Sequence, residues 1–181
     1  MMRIIAGKYR SRAIEQPKTD KTRPTTDKVR EAIFSSIQFD LQDSVFLDLF
    51  SGSGAFAIEA VSRGAMKAIA IEKDRDAFLT LSKNLKSLHV SNVDIHKIDA
   101  LSYLSSSKGL KYDFIFMDAP FAEYDLINNC LNSIKTNQIV SKNGLVILET
   151  DNPEQIKLPS GMVVQKSKKY GKINVLFIAE F

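Results

Sequence analysis

The 181-residue chain predicts an α/β fold built on a seven-stranded, mostly parallel sheet, and three observations carry that expectation. Strand-like and helix-like segments alternate without interruption from Val45 to Glu149. Two apolar runs, Phe46-Leu-Asp-Leu-Phe-Ser-Gly-Ser-Gly-Ala55 and Tyr112-Asp-Phe-Ile-Phe-Met-Asp-Ala-Pro-Phe121, stop abruptly in polar and small residues. Buried parallel strands look like this where they end at a site. The tail then changes to a hairpin pattern, so the last strand should run antiparallel to its neighbours. Alternation of this kind places helices on both faces of a Rossmann-like sheet.

The elements follow in order. Residues 3–16 hold two short strand-like segments around Gly7-Lys8, a hairpin or a loosely ordered arm. Pro17 to Thr25 is polar with prolines near both ends, and predicts a loop. A helix begins near Thr25 or Thr26, with Asp27 in its first turn suited to the N-terminal dipole. Val29, Ile33, Phe34 and Ile37 form its apolar face, and Lys28 and Arg30 are expected to be exposed. Strand 45–49, helix 54–64, strand 68–72, helix 75–88 and strand 93–98 come next. Helix 99–106, strand 112–117, helix 124–138 and strand 144–149 complete the alternation. Met162-Val-Val-Gln and Ile173 to Ala179 flank Lys168-Lys-Tyr-Gly-Lys172 as the final hairpin. There is no internal repeat, and Ser105-Ser-Ser is an ordinary helix-end loop. The division expected is a basic arm over 1–24 and a Rossmann-like domain over 25–181.

Composition narrows the class. The length suits one domain with a substantial core, and 44% hydrophobic residues is ordinary for a globular protein. No apolar run approaches a membrane span, and Met1-Met-Arg-Ile-Ile does not resemble a signal peptide. The single Cys130 cannot form an internal disulfide, fits a reducing cytoplasm, and sits in a helical pattern as a buried apolar residue. Charge is uneven: residues 1–30 carry nine Lys/Arg against three Asp/Glu, a net of +6, while the whole chain is +4, leaving −2 for the rest. A basic end on a near-neutral body suggests a polyanion-binding surface; a merely solvated face is the bland alternative.

In an open α/β sheet, ligands sit beyond the carboxyl ends of the strands, so the two abrupt endings should share a crevice. Gly52-Ser-Gly54 lets the backbone approach a ligand, and the helix behind it offers free N–H groups. Glu72 ends the next strand about twenty residues after the first glycine, where a carboxylate commonly holds ribose hydroxyls. Asp99-Ala100 follow strand 93–98, placed to meet an adenine edge. Gly52, Gly54 and Ala57 with Glu72 also match a dinucleotide fingerprint, but that motif alone is weak. Asp48 stands where a pyrophosphate would need neutral or positive surroundings. An acid there suits the amino and sulfonium groups of S-adenosylmethionine, and no second half-sheet is available for a nicotinamide ribose. The expected cofactor is therefore S-adenosylmethionine, held by Asp48, Phe50, Ser51, Gly52, Gly54, Glu72, Lys73, Asp99 and Ala100. Asp48 as a helix cap is the structural alternative.

Asp118-Ala119-Pro120-Phe121 combines an acid, a proline and an aromatic at a strand terminus. Asp118 can accept one N–H of an exocyclic base amine, a backbone carbonyl the other, and Phe121 can stack on the ring. An aryl amine is a poor nucleophile because its lone pair is delocalised. Holding both hydrogens out of the base plane localises the pair and aims it at a methyl group, so positioning supplies most of the help. No metal is required. His89 and His96 show no metal-ligand spacing. Tyr124 is equally suited to line the pocket or to pack on its helix.

The series Asp48-Leu-Phe-Ser-Gly-Ser-Gly54, Glu72, Asp99 and Asp118-Ala-Pro-Phe121 resembles the amino-methylating S-adenosylmethionine transferases with an (Asp/Asn)-Pro-Pro-(Phe/Tyr) motif. Arg3-Ile-Ile-Ala-Gly-Lys-Tyr-Arg10 and Arg23-Pro-Thr-Thr-Asp-Lys-Val-Arg-Glu31 are very like the RsmD family. That resemblance covers essentially the whole chain, and Arg-Pro-Thr-Thr is its most specific part. It implies methylation of the N2 amine of one guanine in 16S ribosomal RNA, in a subunit or an assembly intermediate. It also implies RNA-phosphate contacts from Arg3, Lys8, Arg10, Arg12, Arg23, Lys28 and Arg30, with Arg10, Arg23 and Arg30 leading. Guanine recognition would require unstacking. Ala119 departs from the family's first proline. The backbone carbonyl survives, so activity is expected to be retained with a looser loop.

Two other readings compete. A DNA adenine-N6 methyltransferase would use the same amine grip, but 181 residues leave no room for a separate DNA-recognition domain. A non-catalytic RNA-binding protein with a vestigial pocket would be expected to have lost at least one of Asp48, Glu72, Asp99 and Asp118. A monomer is the default oligomeric state.

Overall fold

The computed structural model describes residues 1–18, 25–120 and 122–181, so Arg23 and Phe121 lie outside the described residues. Among the described residues, fourteen strands and α-helices follow one another: β1 (Met2–Arg3), β2 (Ala13–Ile14), α1 (Asp27–Ile37), β3 (Val45–Asp48), α2 (Ala55–Ser62), β4 (Lys67–Ile71) and α3 (Arg75–Ser87), then β5 (Val93–His96), α4 (Ala100–Ser105), β6 (Tyr112–Met117), α5 (Tyr124–Asn137), β7 (Val140–Thr150), β8 (Met162–Tyr170) and β9 (Ile173–Glu180). Seven strands form one sheet in the order β5-β4-β3-β6-β7-β9-β8. The pairs from β5 through β7 are parallel. β9 runs antiparallel between β7 and β8. The seven strands and the antiparallel hairpin agree with the sequence expectation.

The period-two alternation of each strand explains the layers. Phe46, Ala68, Ala70, Phe114, Phe116, Ile147 and Phe177 face one side, where they meet Ile33 and Phe34 of α1, Phe56 and Ile58 of α2 and Leu81 of α3. Leu47, Ile69, Ile71, Ile115, Met117, Val146 and Leu148 face the other, against Leu104 of α4 and Ile127, Cys130, Leu131 and Ile134 of α5. Each large apolar side chain so buried contributes about 1.5–3 kcal/mol. Caps set the helix starts: Thr26 accepts from Val29 N at α1, and Asp74 from Ala77 N at α3.

Two strands run longer than their pattern suggests. β7 begins at Val140 rather than near 144, because a register shift against β6 between Tyr112 and Phe114 absorbs the polar Ser141-Lys-Asn segment. β8 continues through Lys166, Lys168 and Lys169 to a two-residue loop at Gly171-Lys172. As the edge strand, β8 can carry lysines into solvent, and they blunt an otherwise open edge.

The N-terminal segment is a hairpin, β1 paired antiparallel with β2, and it is docked on α2. Ile4, Tyr9 and Ile14 are buried in the same core layer as α1 and α2. Glu59 of α2, itself fully buried, accepts from Ile5 N (3.0 Å), Ala6 N (3.1 Å) and Arg63 Nε (2.8 Å). Ser62 continues the seam: its carbonyl accepts from Lys8 N, its hydroxyl accepts from Tyr9 N and donates to the Ala6 carbonyl. Gly7 fits only as glycine, since at φ +83° a Cβ would overlap the Ser62 carbonyl.

Arg30 corrects an expectation. It is 0% exposed, not a surface residue. Its Nη1 donates to Met2 Sδ, its Nη2 to the Arg3 carbonyl and Asp27, and its Nε lies 3.7 Å from Glu59. The α1 face is wider than its aliphatic residues suggest because the docked hairpin covers it. Arg30 therefore fastens the arm from beneath and is withheld from any phosphate.

Candidate active site

The chain leaves β3 for β4 and β5 in one direction, and the other half of the sheet continues through β6 and β7 in the opposite one. The topological switch point thus lies between β3 and β6, where a crevice is expected at the strand ends. Two adjoining cavities open there. The larger, about 830 Å³, is lined by Asp48, Phe50, Gly52, Asp118, Pro120 and Glu149 among others. The smaller, about 320 Å³, is lined by Phe50, Glu72, Lys73, Asp99, Ala100 and Pro120 among others. Phe50, Asp118 and Pro120 border both.

The glycine-rich turn shapes the shared wall. Ser51 N donates to the Ile71 carbonyl and Gly54 N to the Ser51 carbonyl, which turns the chain tightly into α2. Both glycines have positive φ, +53° and +87°. They serve different ends. A Cβ on Gly54 would overlap Leu81 Cδ1, so this glycine lets α2 pack on α3. A Cβ on Gly52 would meet nothing within 4 Å, so that glycine keeps its surface open toward the crevice. Ser51 is buried, and its hydroxyl donates to the Asp48 carbonyl.

Three carboxyl groups from the ends of β3, β6 and β7 converge on the larger cavity, which Asp151 also lines. Asp48 is 1% exposed and caps no helix; Phe50 N donates to its carboxyl at 3.4 Å. Burial pushes its pKa up to about 8, the Phe50 N–H opposing and the Asp118 and Glu72 charges adding to the rise. Asp118 is raised by burial and eased down by hydrogen bonds from Glu149 and Thr25. Glu149, 6% exposed, is raised well above the carboxylate range by burial and by Asp118. Thr25 Oγ lies 3.1 Å from Asp118 Oδ2 and 2.8 Å from Glu149 Oε2. Phe56 and Phe116 stack at 3.8 Å beside them.

The smaller cavity is differently made. Glu72 accepts from Gly52 N at 2.8 Å and Asp74 N at 2.9 Å, so it braces the glycine turn. An ionised carboxylate has about four acceptor positions, which leaves capacity for hydroxyl donors. Asp99 caps α4, accepting from Ser102 N (2.9 Å) and Oγ (2.6 Å), and these bonds hold its pKa low. Leu49, Ile71, Ile98 and Leu126 give this cavity apolar walls.

Most candidates therefore meet at one place. Asp48, Phe50, Ser51, Gly52, Glu72, Lys73, Asp99, Ala100, Asp118, Ala119 and Pro120 line the paired cavities. Gly54 stands behind them in the helix packing. Tyr124 lines the larger cavity and donates to Asp151 at 2.6 Å. Arg3, Lys8, Arg10, Arg12 and Lys28 are exposed, and of these Lys28 reaches the cavity wall. His89 and His96 are exposed.

Thr25, Glu149 and Asn84 were missed. Glu149 had a visible signal: it is an acid at the end of a predicted parallel strand, like Asp48 and Glu72. Thr25 lay inside the Arg-Pro-Thr-Thr segment with no chemistry attached to it. Buried Asn84 offered no signal in an ordinary helical pattern. Its carboxamide pairs with both backbone groups of Glu15 and donates to the Ser53 carbonyl.

A family model described as Conserved hypothetical protein 95 matches residues 2–179. The chain belongs to this family. Its match to the RsmD pattern extends to full-length relatives. Ribosomal RNA small subunit methyltransferase D of Buchnera aphidicola (Acyrthosiphon pisum) is 33% identical over 165 residues, 91% of this chain and 86% of that protein. The protein of the same name from Escherichia coli K12 is 33% identical over 173 residues, 95% of this chain and 86% of that one. The solved structure of yhhF from Escherichia coli superposes with a TM-score of 0.89 at 32% identity, covering 99% and 97% of the two chains. The family match and the superposition both span nearly the whole chain.

Proposed function

We propose that this protein is an S-adenosylmethionine-dependent methyltransferase acting on the exocyclic N2 amine of one guanine in 16S ribosomal RNA. The observation that carries the reading is the pair of carboxyl groups, Asp48 and Asp118, at the ends of adjacent strands in one cavity. Its family relatives named as small-subunit rRNA methyltransferases support the substrate class.

The donor set fits the cofactor. Buried Asp48 has no cationic partner among the described residues, and an amino or sulfonium group would supply one. Gly52 offers open backbone at its side, with Phe50 and Ser51 flanking it. Glu72 and Lys73 would meet the ribose end, and Asp99 and Ala100 the base, in the smaller cavity. When bound, the cofactor supplies an electrophilic methyl carbon on a positively charged sulfur.

The chain's residues do the rest. Asp118 accepts one N–H of the target amine and the backbone carbonyl of Ala119 or Pro120 the other, turning the nitrogen lone pair toward the larger cavity. Transfer would break the methyl–sulfur bond, its electron pair remaining on sulfur as S-adenosylhomocysteine, and the nitrogen's surplus proton can pass to Asp118 and on to solvent. Phe121, outside the described residues, would stack on the base. The arm over residues 1–24 presents Arg3, Lys8, Arg10 and Arg12 to RNA phosphates, Lys28 extends that surface to the cavity, Arg23, outside the described residues, would add to them, and 25–181 form the catalytic domain. The proposed working form is a cytoplasmic monomer, and the proposed substrate is 16S rRNA within a subunit or an assembly intermediate, with naked rRNA kept as an arm of the test.

Incubation with radiolabelled cofactor and small subunits from a strain lacking the enzyme tests this, beside naked rRNA and duplex DNA. Label in N2-methylguanosine that is lost in Asp118→Ala is the expected result. Label in DNA adenine would replace the substrate, and cofactor binding with no transfer anywhere would favour an RNA-binding protein.

A further inference from the structure

The contacts around Thr25 do not balance with two ionised carboxylates. Its hydroxyl has one hydrogen, yet Oγ is within hydrogen-bond distance of Asp118 Oδ2 and Glu149 Oε2 at once. A second acceptor oxygen at 2.8 Å with no hydrogen between would be repulsive in so buried a place. One further proton resolves the triad. With it on the Glu149 carboxyl, Glu149 Oε2 donates to Thr25 Oγ and Thr25 in turn donates to Asp118 Oδ2. Glu149 is the natural holder because it is the more buried of the two and its Oε1 has no partner among the described residues. A lone ionised oxygen there would be costly. The surrounding titratable groups are Asp48 and Asp118 at the neighbouring strand ends, with Lys28, Tyr124, Asp151 and Lys172 around the same cavity.

We infer that Glu149 and Thr25 are positioning residues for methyl transfer: Glu149, as a neutral hydrogen-bond donor, and Thr25 together hold one oxygen of Asp118 so that the other faces the target amine. The inference rests on the methyl-transfer reading for what Asp118 does, though not for the state of Glu149. It gives the Arg-Pro-Thr-Thr segment a chemical task, since Thr25 joins the start of α1 to the ends of β6 and β7. It also keeps Asp118 ionised beside another acid, because a neutral neighbour adds a donor rather than a second negative charge.

Four variants and one spectroscopic measurement test it. Glu149→Gln keeps a donor and Glu149→Ala does not; Thr25→Ser keeps the hydroxyl and Thr25→Val does not. The two conservative variants should stay within about threefold of wild-type turnover. The other two should lose about 10- to 100-fold in kcat, as misplaced catalytic groups do, with cofactor KM nearly unchanged. In the free protein with ¹³C-carboxyl-labelled glutamate, one resonance should remain protonated near neutral pH and vanish in Glu149→Gln. Equal loss in Gln and Ala, equal activity in Val and Ser, or glutamates that are all ionised would each overturn the inference. Should Glu149→Ala not fold, the Thr25 pair and the resonance still decide. Absence of transfer by the wild type would instead count against the functional reading, and the resonance would stand apart from it.

Discussion

Asp48 shows how far one residue's environment can carry an argument. Its carboxyl has exchanged water for the ends of β3 and the glycine turn, and the proton stays on to about pH 8. The folded state therefore holds a proton between the ordinary value of 3.8 and about 8 that the unfolded chain releases. By linkage, its contribution to stability falls as pH rises through that window. Ligand-free wild type should lose thermal stability from pH 5 to pH 8, and Asp48→Asn should make that decline shallower, the remainder coming from Asp118 and Glu149, which burial also raises. Calorimetry in buffers of different ionisation enthalpy should show proton release when the cationic cofactor binds, reduced in Asp48→Asn. An unchanged proton count would remove Asp48 from the cofactor site.

Arg30 is the complementary case, a charge whose role the sequence concealed. Its place in a Lys/Arg-rich segment suggested a phosphate contact, yet it lies beneath the hairpin between Met2, Asp27 and Glu59. Breaking a buried ion pair by removing one partner costs about 3–5 kcal/mol. Arg30→Ala should thus unfold at markedly lower denaturant, whereas Arg10→Ala should leave unfolding unchanged and weaken RNA binding. Denaturant midpoints and filter-binding titrations on both variants separate the two roles.

At the scale of elements, the alternation of strand and helix was legible because each buried strand is a short apolar run and each helix keeps a clear apolar face. The hairpin at the C-terminus was legible for the same reason. What pattern could not show is the docking of the N-terminal hairpin, since β1 and β2 are only two residues each and the seam is built from hydrogen bonds to Glu59 and Ser62. Such bonds join residues far apart in sequence and leave no local period. Gly7 is the position to probe. Gly7→Ala forces a Cβ into the Ser62 carbonyl, so the arm should lift from α2. Hydrogen-exchange protection at Ile5, Lys8 and Tyr9 should fall while β3 and β6 stay protected. Retained protection would mean that the seam can shift to accept the methyl group.

On the scale of the whole molecule, the site follows from topology: a reversal of strand order next to β3 leaves a crevice, and acids at strand ends fill it. Asp48, Glu72 and Asp118 were readable as strand-ending acids; Glu149 obeys the same rule at the end of the predicted strand 144–149, where no motif of its own marked it. The uneven charge is a global property too. If the arm's cations contact phosphates, RNA affinity should fall linearly with salt on a double-logarithmic plot. Replacing Arg3, Arg10 and Arg12 together by alanine should shallow the slope by up to about 0.7–0.9 for each phosphate no longer neutralised. A slope unchanged by that triple substitution would place the RNA elsewhere.

Asn84 joins two surfaces that are otherwise described separately. Its carboxamide holds the backbone of Glu15, at the end of the arm, and the Ser53 carbonyl in the glycine turn. One joint thus connects the basic N-terminal hairpin to the glycine turn. Were cofactor binding to order that joint, linkage would make the effect reciprocal: any factor by which cofactor tightened RNA would be the factor by which RNA tightened cofactor. Titrating cofactor with and without RNA, in wild type and in Asn84→Ala, measures that factor, and equal affinities throughout would leave Asn84 a purely structural joint.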